Sequence, residues 1–169
     1  GSILRTALDS PIDDIPFYAS LRTAFDGASL WCNRLSYIGE SGAELVIDAN
    51  RLPDLYAHLT AAGTPFGLRP AGFYAMNACR MEKGYRHWGD DIHDHITPLQ
   101  AGLGFATSKD KVGYLGQPTI DAQRGIQPKR LVSLAIEGDD APFMLHDEPI
   151  YRNGIAVGLT TSAAVSYTH

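Results

Sequence analysis

The run "EPIYRNGIAVGLTTSA" places Asn153 and Gly154 between two strand-like segments. A two-residue turn that suits the right-handed twist of paired strands needs positive φ at both central positions, and Asn-Gly meets that need readily. An antiparallel hairpin here is the tightest constraint the sequence sets, and a doubly wound parallel sheet would contradict it. Just upstream, "KRLVSLAIEG" alternates Leu131, Ser133 and Ala135 with Val132, Leu134 and Ile136. Both sets are largely apolar, as in a strand covered on both faces, so a buried strand is expected there.

The earlier part of the chain has a different character. "LWCNRLSYIGESGAELVID" holds two runs rich in aromatic and β-branched residues, 30–38 and 43–48, which predict strands joined by the short turn "GESG". "DSPIDDIPFYASLRTAF" before them reads as a turn-rich lead-in, since Pro11 and Pro16 exclude a helix interior. "NRLPDLYAHLTAAG" predicts a helix near 53–62. Pro53 and Asp54 suit its first turn, Leu52, Leu55 and Leu59 share a face, and Gly63 supplies a left-handed stop. A second helix is expected over about 70–83, with Ala71, Tyr74 or Ala75, Ala78 and Met81 as its apolar stripe and Gly84 closing it. From Asp90 to about Gln127 periodicity fades into short strands or loops pinned by glycine and proline. The expected class is α+β, with a mixed or antiparallel sheet carrying both helices on one face. An α+β domain over 1–125 is followed by a β part over 126–169, the boundary falling near 120–128.

A net charge of −5 without a basic cluster argues against nucleic-acid binding by bulk electrostatics. No apolar run approaches the roughly 20 residues that span a bilayer. Cys32 and Cys79 are read as free thiols in a reducing compartment rather than a disulfide or a metal pair. The chain opens directly on the helix-like "ILRTAL" and stops just after a strand-like run, as expected of a piece of a longer protein. Strand edges left open in such a piece are expected to promote self-association.

Candidate chemistry is sparse. In "HWGDDIHDH", His87, Asp90, Asp91, His93, Asp94 and His95 are all metal-ligand types, but His93 and His95 are two apart and no third ligand follows from spacing. Solvated side chains capping the neighbouring backbone are expected instead, with no metal. No G-x-S-x-G elbow and no P-loop is present, and "GLRPAG" lacks a dinucleotide fingerprint. Glu40, between Gly39 and Gly42, is the better candidate: an ionised carboxylate there offers two acceptors to a flat ring edge with adjacent N–H donors.

Four ordered motifs then carry a resemblance: "YIGESGAEL" (37–45), "GLRPAGFYAMNACRMEKGYRHWGDDI" (67–92), "TPLQAGLGF" (97–105) and "EPIYRNGIAVGLTTS" (148–162). Together they resemble the aminomethyltransferase family of the glycine cleavage T-protein. "EKGYRHWGDDI" is most similar to the folate-binding C-terminal half of dimethylglycine and sarcosine dehydrogenases. The resemblance implies part of the T-protein folate-binding fold followed by the start of a C-terminal β-barrel, and a tetrahydrofolate site that takes up a one-carbon unit from an amine donor. It places Glu40 on the pterin ring, with Tyr37 preceding it, and Arg80, Tyr85 and Trp88 at or behind the pocket wall. Arg80 is alternatively an ion-pair partner for Glu82. Met76 stands where T-protein members often carry an arginine, which favours the dehydrogenase-linked branch. Tyr85 stands where an iron–sulfur-assembly branch has cysteine. The family's catalytic aspartate and any FAD domain would lie upstream, so no catalytic residue is assigned in this chain. The implied location is cytoplasmic, or the mitochondrial matrix in a eukaryote. The competing readings are a folate-binding or regulatory module without chemistry, and a domain for subunit contact.

Overall fold

The computed structural model describes residues 2–8, 12–126, 129–138, 140 and 142–165. Pro11, residues 127–128 of the expected boundary and the terminal 166–169 lie outside the described residues. The class is α+β, as expected. The chain divides into two compact units, 1–79 and 80–169.

In the first unit, α1 (Ser2–Leu8) precedes an antiparallel sheet ordered β1 (Ser20–Phe25), β2 (Ala28–Asn33), β3 (Glu44–Val46). The sequence reading missed β1, which lies in the segment taken as a lead-in. Its signal was Asp26-Gly27: both residues have positive φ, 46° and 76°, and they turn β1 into β2 so that Phe25 faces Ala28 and Ser20 faces Asn33. β2 pairs with β3 through Trp31–Val46 and Asn33–Glu44. Both predicted strands are shorter than expected, so the connection between them runs from 34 to 43 rather than through "GESG" alone.

Strand alternation separates the two sheet faces. Leu21, Thr23 and Phe25 are half-buried while Ser20, Arg22 and Ala24 are exposed, and Leu30 and Cys32 are fully buried on β2. These two join Leu8, Ile12, Ile15 and Leu55 in the core, with Leu45, Ile47 and Leu59 packed around them. Leu55 and Leu59 come from α2 (Leu52–Gly63), whose Pro53 and Asp54 occupy the first turn as expected. Leu52 lies on the same stripe but, at the first position of the helix, stays exposed. Gly63 is not the left-handed stop either. It keeps right-handed φ, a 3-10 turn over Thr64–Phe66 follows, and Gly67 (φ 73°) takes the left-handed position. Pro65 fits that added turn, and the Leu68 side chain folds onto Gly63, where a Cβ would collide with it.

α3 (Phe73–Glu82) starts later than expected, and residues 73–75 are exposed. Its buried residue is Arg80, not a member of the predicted small-residue stripe. Gly84 ends the helix as expected, with φ 66° and its N–H on Met81 O at 2.8 Å.

The second unit is mostly loop up to α4 (Gln117–Gln123), a short helix where strands or loops were expected. The hairpin of β4 (Pro149–Arg152) and β5 (Ile155–Leu159) forms as expected around Asn153 and Gly154, φ 53° and 77°. The predicted strand at 131–136 does not form. Leu131 N–H bonds Gln100 O, but the segment carries no strand and exposes Val132, Leu134 and Ile136. Its two-sided apolar pattern encodes a demand for cover, and no described strand lies beside it to meet that demand.

Candidate functional site

The β2–β3 connection carries the first candidate. The ladder of β1 and β2 is prolonged by Arg34 N–H to Ala19 O and Tyr18 N–H to Arg34 O, after which the chain leaves the sheet. Gly39 takes φ 74°, a value that favours glycine, and delivers Glu40 to the surface. Glu40 is exposed, and its carboxylate has no hydrogen-bond or ion-pair partner among the described residues. Tyr37 is half-buried in the same connection, and the hydroxyl of its neighbour Ser36 is buried with no hydrogen-bond partner. A free carboxylate on a glycine-bounded bend is a two-oxygen acceptor open to a ligand.

Arg80, Tyr85 and Trp88 lie in the second unit, grouped around the α3 C-terminus and the loop after it. Arg80 is buried at 2% exposure and Asp91 at 6%. The two form an ion pair of 2.5 Å between Arg80 Nη1 and Asp91 Oδ2. Arg80 Nη1 also donates to Tyr85 O at 3.0 Å and Nη2 to Ser162 Oγ at 2.7 Å. Asp91 Oδ2 accepts the His87 N–H at 2.9 Å, and Oδ1 accepts the Thr161 hydroxyl at 2.5 Å. Asp91 is a partner of Arg80 that the sequence reading had not offered. Buried charges persist when they are paired and fully hydrogen-bonded, and this pair meets both conditions. Burial is the largest influence on the Asp91 carboxyl and pushes it up. The Thr161 hydroxyl, the His87 amide, the Ser162 hydroxyl and the Arg80 charge together outweigh it and hold the group below the usual carboxylate range.

Sequence reasoning missed Asp91, Thr161 and Ser162 as a cluster, because Thr161 is 70 positions from Asp91 and Ser162 is 82 from Arg80. It also missed Arg86, whose Nε donates to Ala101 O at 2.9 Å and whose guanidinium also bonds Gly84 O. Gly102, with φ 70°, lets that guanidinium lie against the backbone.

The histidine-rich loop is braced in part by its own side chains. His87 Nδ1 lies 2.9 Å from Asp90 Oδ2, and His95 N–H bonds His93 Nδ1 at 3.2 Å. Among the described residues no three His, Cys, Asp or Glu side chains are placed to hold a metal ion. Asp91 departs from the expectation of solvated loop carboxylates. A hollow of about 550 Å³ lies elsewhere in this unit, against Pro98, Thr107, Ser108, Lys111, Tyr114 and Ile120. None of the five sequence-predicted site residues lines it. Cys32 and Cys79 are free thiols, as expected, the first buried and the second half-buried. Among the described residues no helix is long and apolar enough to cross a membrane.

The α+β part, with its glycine-bounded bend between β2 and β3, and the hairpin region after it are each matched by a known family. Residues 2–111 match the GCVT N-terminal domain and residues 129–169 the glycine cleavage T-protein C-terminal barrel domain. The chain belongs to the glycine cleavage T-protein family. It is 33% identical over 168 residues to an aminomethyltransferase of Halothermothrix orenii, covering 98% of this chain and 46% of that protein. Mitochondrial sarcosine dehydrogenase of Mus musculus is 35% identical over 171 residues, 98% of this chain and 18% of the enzyme. The formaldehyde-forming 4-methylaminobutanoate oxidase of Paenarthrobacter nicotinovorans is 40% identical over 137 residues, 80% of this chain and 16% of the oxidase. The chain thus spans less than half the length of these relatives.

Proposed function

We propose that this chain is the tetrahydrofolate-binding part of an aminomethyltransferase-type enzyme. The parent passes a one-carbon unit from an amine such as dimethylglycine, sarcosine or glycine to tetrahydrofolate. The relatives named as sarcosine dehydrogenase and formaldehyde-forming oxidase favour a parent with an FAD-linked amine dehydrogenase upstream. FAD would belong to that upstream part, and no residue of this chain is assigned to it. Residues 1–125 form the partial folate-binding domain and 126–169 the partial barrel.

The observation that carries this reading is Glu40, an unpartnered carboxylate on a glycine-bounded bend within the Y-x-G-E motif. The residues present fit the ligand: Glu40 supplies two acceptors for the adjacent N–H donors of a pterin edge, and Tyr37 sits beside it. Tyr85 and Trp88 supply flat apolar surface. Arg80, already held by Asp91, Tyr85 and Ser162, braces the loop that carries these two rings. When bound, tetrahydrofolate supplies the nucleophilic N5 that captures the one-carbon unit. The contribution of this chain is to orient it, and holding two reactants in line lowers a barrier by up to about 7–11 kcal/mol in favourable cases. The general base is assigned upstream. The parent is proposed to act in the cytoplasm, or in the matrix of a eukaryotic mitochondrion, without nucleic-acid or membrane partners. Open strand edges in the chain as given favour self-association.

The test is a tetrahydrofolate titration of the full-length parent. Glu40→Ala is expected to weaken binding by about 1.5–3 kcal/mol, the range for a hydrogen bond to a charged group. Glu40→Gln should retain part of the affinity, with folding stability unchanged in both. Equal affinity of Glu40→Ala and wild type removes Glu40 from the site.

A second reading has its own support. The mitochondrial pyruvate dehydrogenase phosphatase regulatory subunit of Mus musculus is 34% identical over 140 residues, 79% of this chain and 16% of that protein. A parent that binds tetrahydrofolate but turns over no amine would favour a regulatory module of that kind.

A further inference from the structure

The buried cluster around Arg80 does more than neutralise a charge. The 85–92 loop closes on itself: Asp91 and Ile92 N–H groups both reach His87 O, at 3.0 and 3.3 Å, and Gly89 N–H reaches Ile92 O at 2.9 Å. Gly89, with φ 101°, makes the tight bend, and Trp88 stands beside it, 72% exposed. Arg80 grips both ends of this loop. At the near end Tyr85 N–H bonds Arg80 O at 2.8 Å while Arg80 Nη1 bonds Tyr85 O; at the far end the same guanidinium holds Asp91. The free corners of the pair are then taken by Thr161 and Ser162, immediately after the β4–β5 hairpin. Thr161 and Ser162 fall in the barrel-matched region, Arg80 and Asp91 in the region matched by the N-terminal domain.

We infer that Arg80 and Asp91, clamped by Thr161 and Ser162, are positioning residues that fix the 85–92 loop and thereby present Tyr85 and Trp88 as one ordered aromatic surface. The inference rests on the folate reading for what that surface meets. A buried ion pair is a poor device for stability alone, since apolar residues of similar volume often serve as well or better. It does specify geometry, because a guanidinium fork with five fixed donors accepts few arrangements of its partners. The hairpin exit thereby sets the shape of a loop some 70 residues earlier in the chain.

Thr161→Val and Ser162→Ala remove the outer hydrogen bonds and leave the ion pair, so both variants are expected to fold. In the full-length parent, hydrogen–deuterium exchange of the peptide covering 84–92 should speed about tenfold, the size expected for losing one hydrogen bond to a charged group. The tetrahydrofolate Kd should rise by a similar factor, with the melting temperature little changed. Arg80→Lys keeps the charge but not the fork, and should shift exchange and Kd in the same direction. Folded variants with wild-type exchange at 84–92 overturn the clamp. Faster exchange with an unchanged Kd overturns the positioning role and leaves a structural one. A wild-type parent that binds no tetrahydrofolate removes the folate reading and the ligand half of this inference, while the exchange rates still decide whether the clamp holds the loop.

Discussion

The two hairpins of this chain are made by the same turn chemistry and held by opposite means. Asp26-Gly27 and Asn153-Gly154 both take left-handed backbone at two successive residues and reverse the chain in two residues. The β1–β2 hairpin then buries one face, with Leu30 and Cys32 inaccessible against Leu8, Ile12 and Leu55. The β4–β5 hairpin is exposed along all of β5, and the segment leaving it is anchored through Thr161 and Ser162 to a buried ion pair. A turn dipeptide therefore dictates where the chain reverses, while what secures the reversal depends on the residues brought against it. Apolar packing secures the first hairpin and charge pairing the exit of the second, so the two should fail under different insults.

The largest effect is expected at Asp91. Asp91→Ala leaves Arg80 buried without its counter-ion and should cost about 3–5 kcal/mol, the usual penalty for breaking a buried pair. Denaturant unfolding of the variant measures it, and a loss under about 1 kcal/mol would mean that the pair is solvated. Leu30→Ala should come next, at about 2–5 kcal/mol for a cavity in a closed core. Val157→Ala on the exposed β5 should stay within about 0.5 kcal/mol. Equal costs at Leu30 and Val157 would erase the contrast between the hairpins.

The smallest effect, and the one that separates the two anchors most cleanly, is the pH dependence of stability. Asp91 is held below its unfolded value of 3.8, so its contribution is complete above about that pH and is lost as pH falls through the depressed folded value. The groups that face it are Arg80 and the hydroxyls of Thr161 and Ser162, with the His87 amide. Cys32 behaves oppositely. Burial pushes its thiol above the unfolded value of 9.0, against a smaller pull from Arg34, so its contribution is present below that value and lost as pH rises toward the folded one. Stability curves of wild type and Asp91→Asn should therefore converge in acid, and those of wild type and Cys32→Ala in alkali. Parallel curves would deny either group a linked proton.

Legibility in the sequence followed the same divide. Local punctuation was readable: Pro53 and Gly84 mark helix ends, and Asn153-Gly154 marks a hairpin, because each acts through its own backbone. Asp26-Gly27 carried the same signal and was masked by the prolines ahead of it. Features set by distant partners were not readable. Asp91 is one of two adjacent aspartates, and only contact with Arg80 and Thr161 distinguishes it from Asp90. The 131–136 run shows the converse, since its pattern states a preference for cover that the described residues leave unmet. Of the candidate site, Glu40 was legible through the glycines that expose it, whereas the buried brace of the loop that carries Tyr85 and Trp88 was not.

The tip of the second hairpin also carries a chemical clock. The side-chain amide of Asn153 is followed by a nitrogen with no bulky neighbour, that of Gly154. Attack of that nitrogen on the amide carbon expels ammonia and closes a cyclic imide, which water opens to aspartate or to isoaspartate. The second product threads an extra methylene into the main chain, which would unseat the pairing of Arg152 with Ile155. A turn locked between paired strands resists the swing this attack requires, whereas a frayed one allows it. The age of a preparation, read as one lost ammonia at a single asparagine, thus records how often this hairpin has come undone.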